Sequence, residues 1–175
     1  MIPDTPTRYG TVTRFLHWSM ALCLAWMFCA ALAHALAEKS ALDAFFWPTH
    51  KHVGSLLMVL ILARGLWALL NLRRRPPAVN PLARLGHLAL YALMFAIPLI
   101  GLLRQYGSGR AFSPLGLPLF PGFDESGKIG WMVDLGGLLH GELGWVLLAL
   151  TGGHVAMALW HRRSAQTNVM PRMAG

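Results

Sequence analysis

Four stretches almost free of charge decide what this 175-residue chain can fold into: 15–37, 53–72, 85–103 and 135–160. Each is close to the ~20 residues that an α-helix needs to cross roughly 30 Å of hydrocarbon. Arg64 and Glu142 are the only Asp, Glu, Lys or Arg residues within them. In hydrocarbon every backbone polar group must be paired inside the protein, so runs of this kind fold as helices. Composition agrees, with 13% charged residues where a soluble domain carries about 25%. Residues 1–175 are therefore expected to form one integral membrane domain, an all-α bundle of four transmembrane helices. Arg8 and Arg14 ahead of the first run, with Ala35-Leu36-Ala37 at its end, mimic a secretory signal. The run exceeds the roughly 7–15 apolar residues of such signals and is read as a retained span.

The segments between the runs carry the turn chemistry, with Pro76-Pro77 and Pro81 after the second run. Gly107, Gly109, Pro114, Gly116, Pro118, Pro121 and Gly122 follow the third. The net charge of +8 also sits between the runs, which makes it an orientation signal and not a nucleic-acid footprint. Arg8, Arg14, Arg73, Arg74, Arg75, Arg84, Arg162, Arg163 and Arg172 fall on one side. The other side has Lys39, Lys51, Arg104, Arg110 and Lys128, interspersed with acids. Both termini are accordingly expected in the cytoplasm. Cys23 and Cys29 lie six residues apart in one helix, on different faces, and read as small apolar residues.

Histidines carry the chemistry. His140 and His154 are fourteen residues apart, close to four helical turns, so they leave nearly one face about 21 Å apart. With the orientation fixed, His17 matches His154 in depth near the cytoplasmic surface, and His50 matches His140 near the opposite one. Two imidazoles from facing helices at one depth are what bis-histidine haem ligation requires. Polar groups inside a membrane are costly and usually functional. Two such pairs sharing the fourth helix point to two b-type haems, His17 and His154 on one iron, His50 and His140 on the other.

The remaining histidines compete for these places. His52 is two residues from His50 and faces elsewhere, so only one of them can ligate. His161 follows His154 by seven residues, at the aqueous border. His34 is read as a wet interfacial imidazole, and His87 as structural or quinone-contacting. Zinc is disfavoured, since no thiolate or acidic cluster accompanies the deep imidazoles. Arg64 lies fourteen residues after His50, at the depth of the inner pair. There it could hold a haem propionate or snorkel to the headgroups. Gly136, Gly137, Gly141, Gly144, Gly152 and Gly153 suit close approach of a helix or a macrocycle, or simple helix packing.

These residues resemble the bacterial cytochrome b-561 family over nearly the whole chain. The matching stretches are Arg8-Tyr9, Arg14-Phe15-Leu16-His17-Trp18, His50-Lys51-x-x-Gly54 and Arg64-Gly65-Leu66-Trp67, in that order. His87-x-x-Leu90-Tyr91-x-Leu93-Met94, Pro98-Leu99-x-Gly101 and His140…His154 complete them. The resemblance implies a dihaem cytochrome of the inner membrane, ligated by His17, His50, His140 and His154, and it favours His50 over His52. His52 is itself a departure, because the family often has Ser there.

Six-coordinate iron leaves no open position, so outer-sphere electron transfer is expected, with no catalytic side chain beyond the haems. The resemblance extends to members that are superoxide oxidases, oxidoreductases passing an electron from periplasmic superoxide to ubiquinone. Lys51, Arg104, Arg110 and Lys128 are candidates to steer the anion. His87, Arg14, Arg84 and His161 are candidates for a quinone site. Two other readings stay open: an electron-transfer cytochrome joining another donor protein to the quinone pool, and a haem-free membrane scaffold or metal carrier.

Overall fold

The computed structural model describes residues 1–163 and 168–174. Its four long helices are α1 (Thr11–Leu36), α3 (His50–Leu70), α4 (Pro81–Gly107) and α5 (Gly130–Arg162). Two short ones are α2 (Ala41–Phe46) and α6 (Met170–Met173). All four long helices are long and apolar enough to cross a membrane. Large apolar side chains such as Phe15, Leu22, Val59, Leu62, Leu88 and Val155 lie exposed along them. A helix that is apolar on its outward face as well belongs in lipid.

The helices outrun the apolar stretches. α1 starts four residues before Phe15, and α5 starts five residues before Leu135, beyond Asp134. Hydropathy marks only the hydrocarbon-embedded part, whereas backbone hydrogen bonding continues through the headgroup layer. α3 ends two residues before the second run does, at Leu70, with the turn starting at Asn71. Asn80 then starts α4 by accepting the Ala83 amide at 2.7 Å, with Pro81 in the first turn. The loop from α4 to α5 folds back on itself through paired Phe112 and Phe120. Gly109 (φ +73°) makes that return possible, since a Cβ there would meet the Phe123 carbonyl at 2.8 Å.

Backbone packing is concentrated between α4 and α5, α1 and α3, and α3 and α4. Glycine sets the closest approach of α4 to α5. A Cβ on Gly136 would run into the Arg104 side chain, and one on Gly107 would stand 2.6 Å from Met132 Cβ. Met20, Leu24, Leu57, Ile61, Met94, Ile97 and Leu147 form the buried core. Leu24 is seven residues after His17, Leu57 seven after His50, and Leu147 midway between His140 and His154. The core is therefore a midplane layer between the two histidine depths. Cys23 packs against this layer, and both cysteines are free thiols.

Both termini meet at one end of the bundle, where the Tyr9 amide donates to the Arg172 carbonyl at 3.1 Å. A buried polar clasp anchors that end. Asp4 accepts from the Gly10 amide at 2.6 Å and from the Thr13 hydroxyl at 2.8 Å, and Thr13 accepts from Trp67 Nε1 at 3.0 Å. Arg75 Nε stands 3.7 Å from the same carboxylate. The clasp braces the start of α1 and ties it to α3, and removing Asp4 would strand two buried donors. Asp4→Ala should therefore lower unfolding free energy in detergent by about 1–3 kcal/mol. Adding Thr13→Val to Asp4→Ala should cost less than Thr13→Val costs alone, because the two share one network while the Trp67 bond is lost in either background. Full additivity in a double-mutant cycle would contradict the clasp.

Candidate functional site

The imidazoles meet in facing twos across the bundle. His17 on α1 and His154 on α5 have ring centroids 6.4 Å apart, with planes at 75°. His50 in the first turn of α3 and His140 on α5 stand 6.0 Å apart at 69°. The first pair lies near the termini, the second at the far end. α5 packs along α4, so the seams from α5 to α1 and to α3 are the ones the two pairs bridge.

At the far end, His140 Nδ1 lies 3.0 Å from the Ile97 carbonyl of α4. A carbonyl can only accept, so this nitrogen carries the proton and Nε2 keeps its lone pair in the neutral ring. Gly101, one turn beyond Ile97, opens the way for that bond, because a Cβ there would stand 2.9 Å from His140 Cε1. His52 faces away from His140. Its Nδ1 accepts the Leu115 amide at 3.2 Å, and its ring stands 6.0 Å from that of Phe112.

Near the termini, Arg64 donates to His17 Nδ1 at 2.9 Å and to the Tyr91 hydroxyl at 2.8 Å. Guanidinium cannot accept, so neutral His17 here keeps its proton on Nε2. Ligation through Nε2 requires the proton to move to Nδ1 and Arg64 to let go, which frees the guanidinium for a carboxylate. The His87 ring stands 5.3 Å from that of His154. The other suggested quinone contacts are spread out. Arg14 donates to the Met173 carbonyl at 3.0 Å, Arg84 lies exposed in the first turn of α4, and His161 sits in the last turn of α5.

The far-end cations divide into two sets. Lys51 Nζ donates to buried Gln105 Oε1 at 2.8 Å, and Gln105 Nε2 donates to the Arg110 carbonyl at 3.0 Å. Lys51, Arg104 and Arg110 have no ion-pair partner among the described residues. Lys128 is paired with Glu125 at 3.0 Å, and its hydrogen bond holds the Glu125 carboxyl below the ordinary range.

The pairs suit an iron between them. Two metal–nitrogen bonds of about 2 Å plus two imidazole radii place ring centroids about 6 Å apart. Open space flanks the shared helix as well, because a Cβ built on Gly137, Gly141, Gly144, Gly152 or Gly153 meets nothing within 4 Å. The family model described as prokaryotic cytochrome b561 matches residues 8–175. The chain belongs to the prokaryotic cytochrome b561 family. Cytochrome b561 homolog 2 of Escherichia coli K12 is 33% identical over 183 residues, spanning 98% of this chain and 94% of that protein. Cytochrome b561 homolog 1 of the same strain is 25% identical over 175 residues, spanning 95% and 96%. As a member of this family, the chain is a membrane electron-transfer protein that binds haem b.

Sequence reading missed several side chains. His34 is no loose interfacial imidazole: its ring stacks on Trp47 at 3.7 Å and 5°, and its Nδ1 lies 3.0 Å from Asp43 Oδ1. Tyr91 and Trp67 stood in recognisable stretches, but nothing in their spacing named Arg64 and Thr13 as partners. Asp4 and Gln105 carried no local signal at all. Gly101→Ala is expected to push His140 off the Ile97 carbonyl and lower haem content at the far pair alone. Pyridine haemochrome quantitation on the purified variant tests this, and full occupancy with an unchanged spectrum would contradict it.

Proposed function

We propose that this cytochrome carries electrons across the inner membrane between two haems, with both termini in the cytoplasm. His17 and His154 hold the inner haem, and His50 and His140 the outer one. The observation that carries this reading is the pair of 6.4 Å and 6.0 Å imidazole spacings at opposite ends of one shared helix. Haem b, bound there, supplies one-electron chemistry. The chain's own contribution is to set the axial ligands and fill the space between them. Leu24, Leu57, Leu147 and their neighbours keep water out of the midplane. Arg64, once released from His17, is placed to neutralise a propionate.

Superoxide is the electron donor that best suits the outer face, and ubiquinone the acceptor. Lys51, Arg104 and Arg110 stand beside the outer pair without carboxylate partners among the described residues, a field that favours a small anion. In the net reaction two superoxides each give up one electron and leave as dioxygen. One quinone takes both electrons and two protons to become quinol. His87, beside His154, is the leading quinone contact of the four suggested, the others being Arg14, Arg84 and His161.

The test is superoxide-driven haem reduction by stopped flow at low salt. Lys51→Gln/Arg110→Gln should slow it about 3- to 10-fold, with the difference shrinking as salt rises. Lys128→Gln, already neutralised by Glu125, should stay within about 2-fold of wild type. Wild-type haem that superoxide leaves oxidised would favour a different donor, such as a redox protein feeding the quinone pool.

A further inference from the structure

The two imidazoles of the far pair are held by different means. His140 is fixed by its hydrogen bond to the Ile97 carbonyl. Buried His50 Nδ1 finds no hydrogen-bond partner among the described residues. Histidines that bind metals almost always donate their second nitrogen to an acceptor, which fixes the ring plane and raises its basicity. Something else must orient His50.

Trp47 stands in that place. Its ring lies 4.8 Å from that of His50, with planes at 40°. The indole is held in turn by His34, stacked on it at 3.7 Å and 5°. Asp43 holds His34 in turn, at 3.0 Å from its Nδ1, while its second oxygen accepts the Lys39 amide at 2.9 Å. Asp43 itself sits on α2, whose start is capped by Ser40. The chain of support therefore runs from a capped helix through a carboxylate, an imidazole and an indole to the ring of His50. Such aromatic contacts are directional and worth more than their buried area alone.

We propose that Trp47, clamped by His34 and Asp43, is the positioning residue for His50, setting by ring packing the plane that a hydrogen bond sets for His140. The proposal rests on His50 and His140 ligating the outer haem. It assigns a role to a segment of the outer loop, residues 39–47, that otherwise touches no haem ligand. It also makes the two axial ligands of that haem unequal. His140 has its basicity raised by a carbonyl, whereas His50 has no such acceptor.

Low-temperature electron paramagnetic resonance and potentiometry on purified holoprotein test it, because axial ligand planes set the low-field g value of a bis-imidazole haem. The signal that disappears in His50→Ala identifies the outer haem. Trp47→Leu should shift that signal and the outer haem's midpoint potential while leaving the inner haem unchanged. Haem affinity at the outer site should also fall about 10-fold, as loss of a group that supports a ligating imidazole typically costs. Trp47→Phe, which keeps an aromatic face, should restore the wild-type g value.

If Trp47→Leu sheds the outer haem, His34→Leu decides: a shifted outer signal supports the clamp, and an unmoved one overturns it. Two bound haems with an unmoved outer signal in Trp47→Leu would likewise overturn the proposal and leave the ligation reading standing. Unaltered haem content in His50→Ala would remove the ligation reading itself.

Discussion

A polar ring in hydrocarbon needs a partner at its own depth, and the fourteen-residue spacing on α5 creates that need twice. His140 and His154 leave one face of one helix, so whatever answers them must come from other helices at matching heights. α1 and α3 run antiparallel to each other, and each starts at a different end of the bundle. His17 and His50 therefore arrive early in their own helices yet at opposite surfaces. The midplane core follows from the same arithmetic. Leu24, Leu57 and Leu147, each seven residues from a histidine, meet halfway.

Close helix packing and the facing imidazoles occupy different seams of the bundle. α4 lies tightly on α5 where Gly107 and Gly136 let the chains close up. The same α4 then supplies the Ile97 carbonyl that fixes His140, reached past Gly101. On its other sides α5 faces α1 and α3 through the midplane core around Leu147 and, above and below it, through the paired imidazoles. Along α5, Gly137, Gly141, Gly144, Gly152 and Gly153 leave open space beside the helix.

The fold was largely legible because membrane crossing is a property of composition and length, both local. Depth pairing of His17 with His154 and of His50 with His140 was legible for a similar reason, since helical rise converts residue number into height. Contacts that depend on azimuth were not. Height alone cannot say that Arg64 turns to His17 and Tyr91, or that His34 stacks on Trp47. α2 was missed because a six-residue helix between spans leaves no periodic signal. Asp4 was missed because it reaches its partners Gly10 and Thr13 only once the chain before α1 has folded back.

Haem stoichiometry with the ligands removed one pair at a time tests the central claim most directly. Purified wild-type protein should carry two b-type haems. His17→Ala and His140→Ala should each retain about one, with different residual reduced-minus-oxidised spectra because opposite sites survive. A single haem in the wild type, or both variants losing the same spectral species, would contradict the paired arrangement.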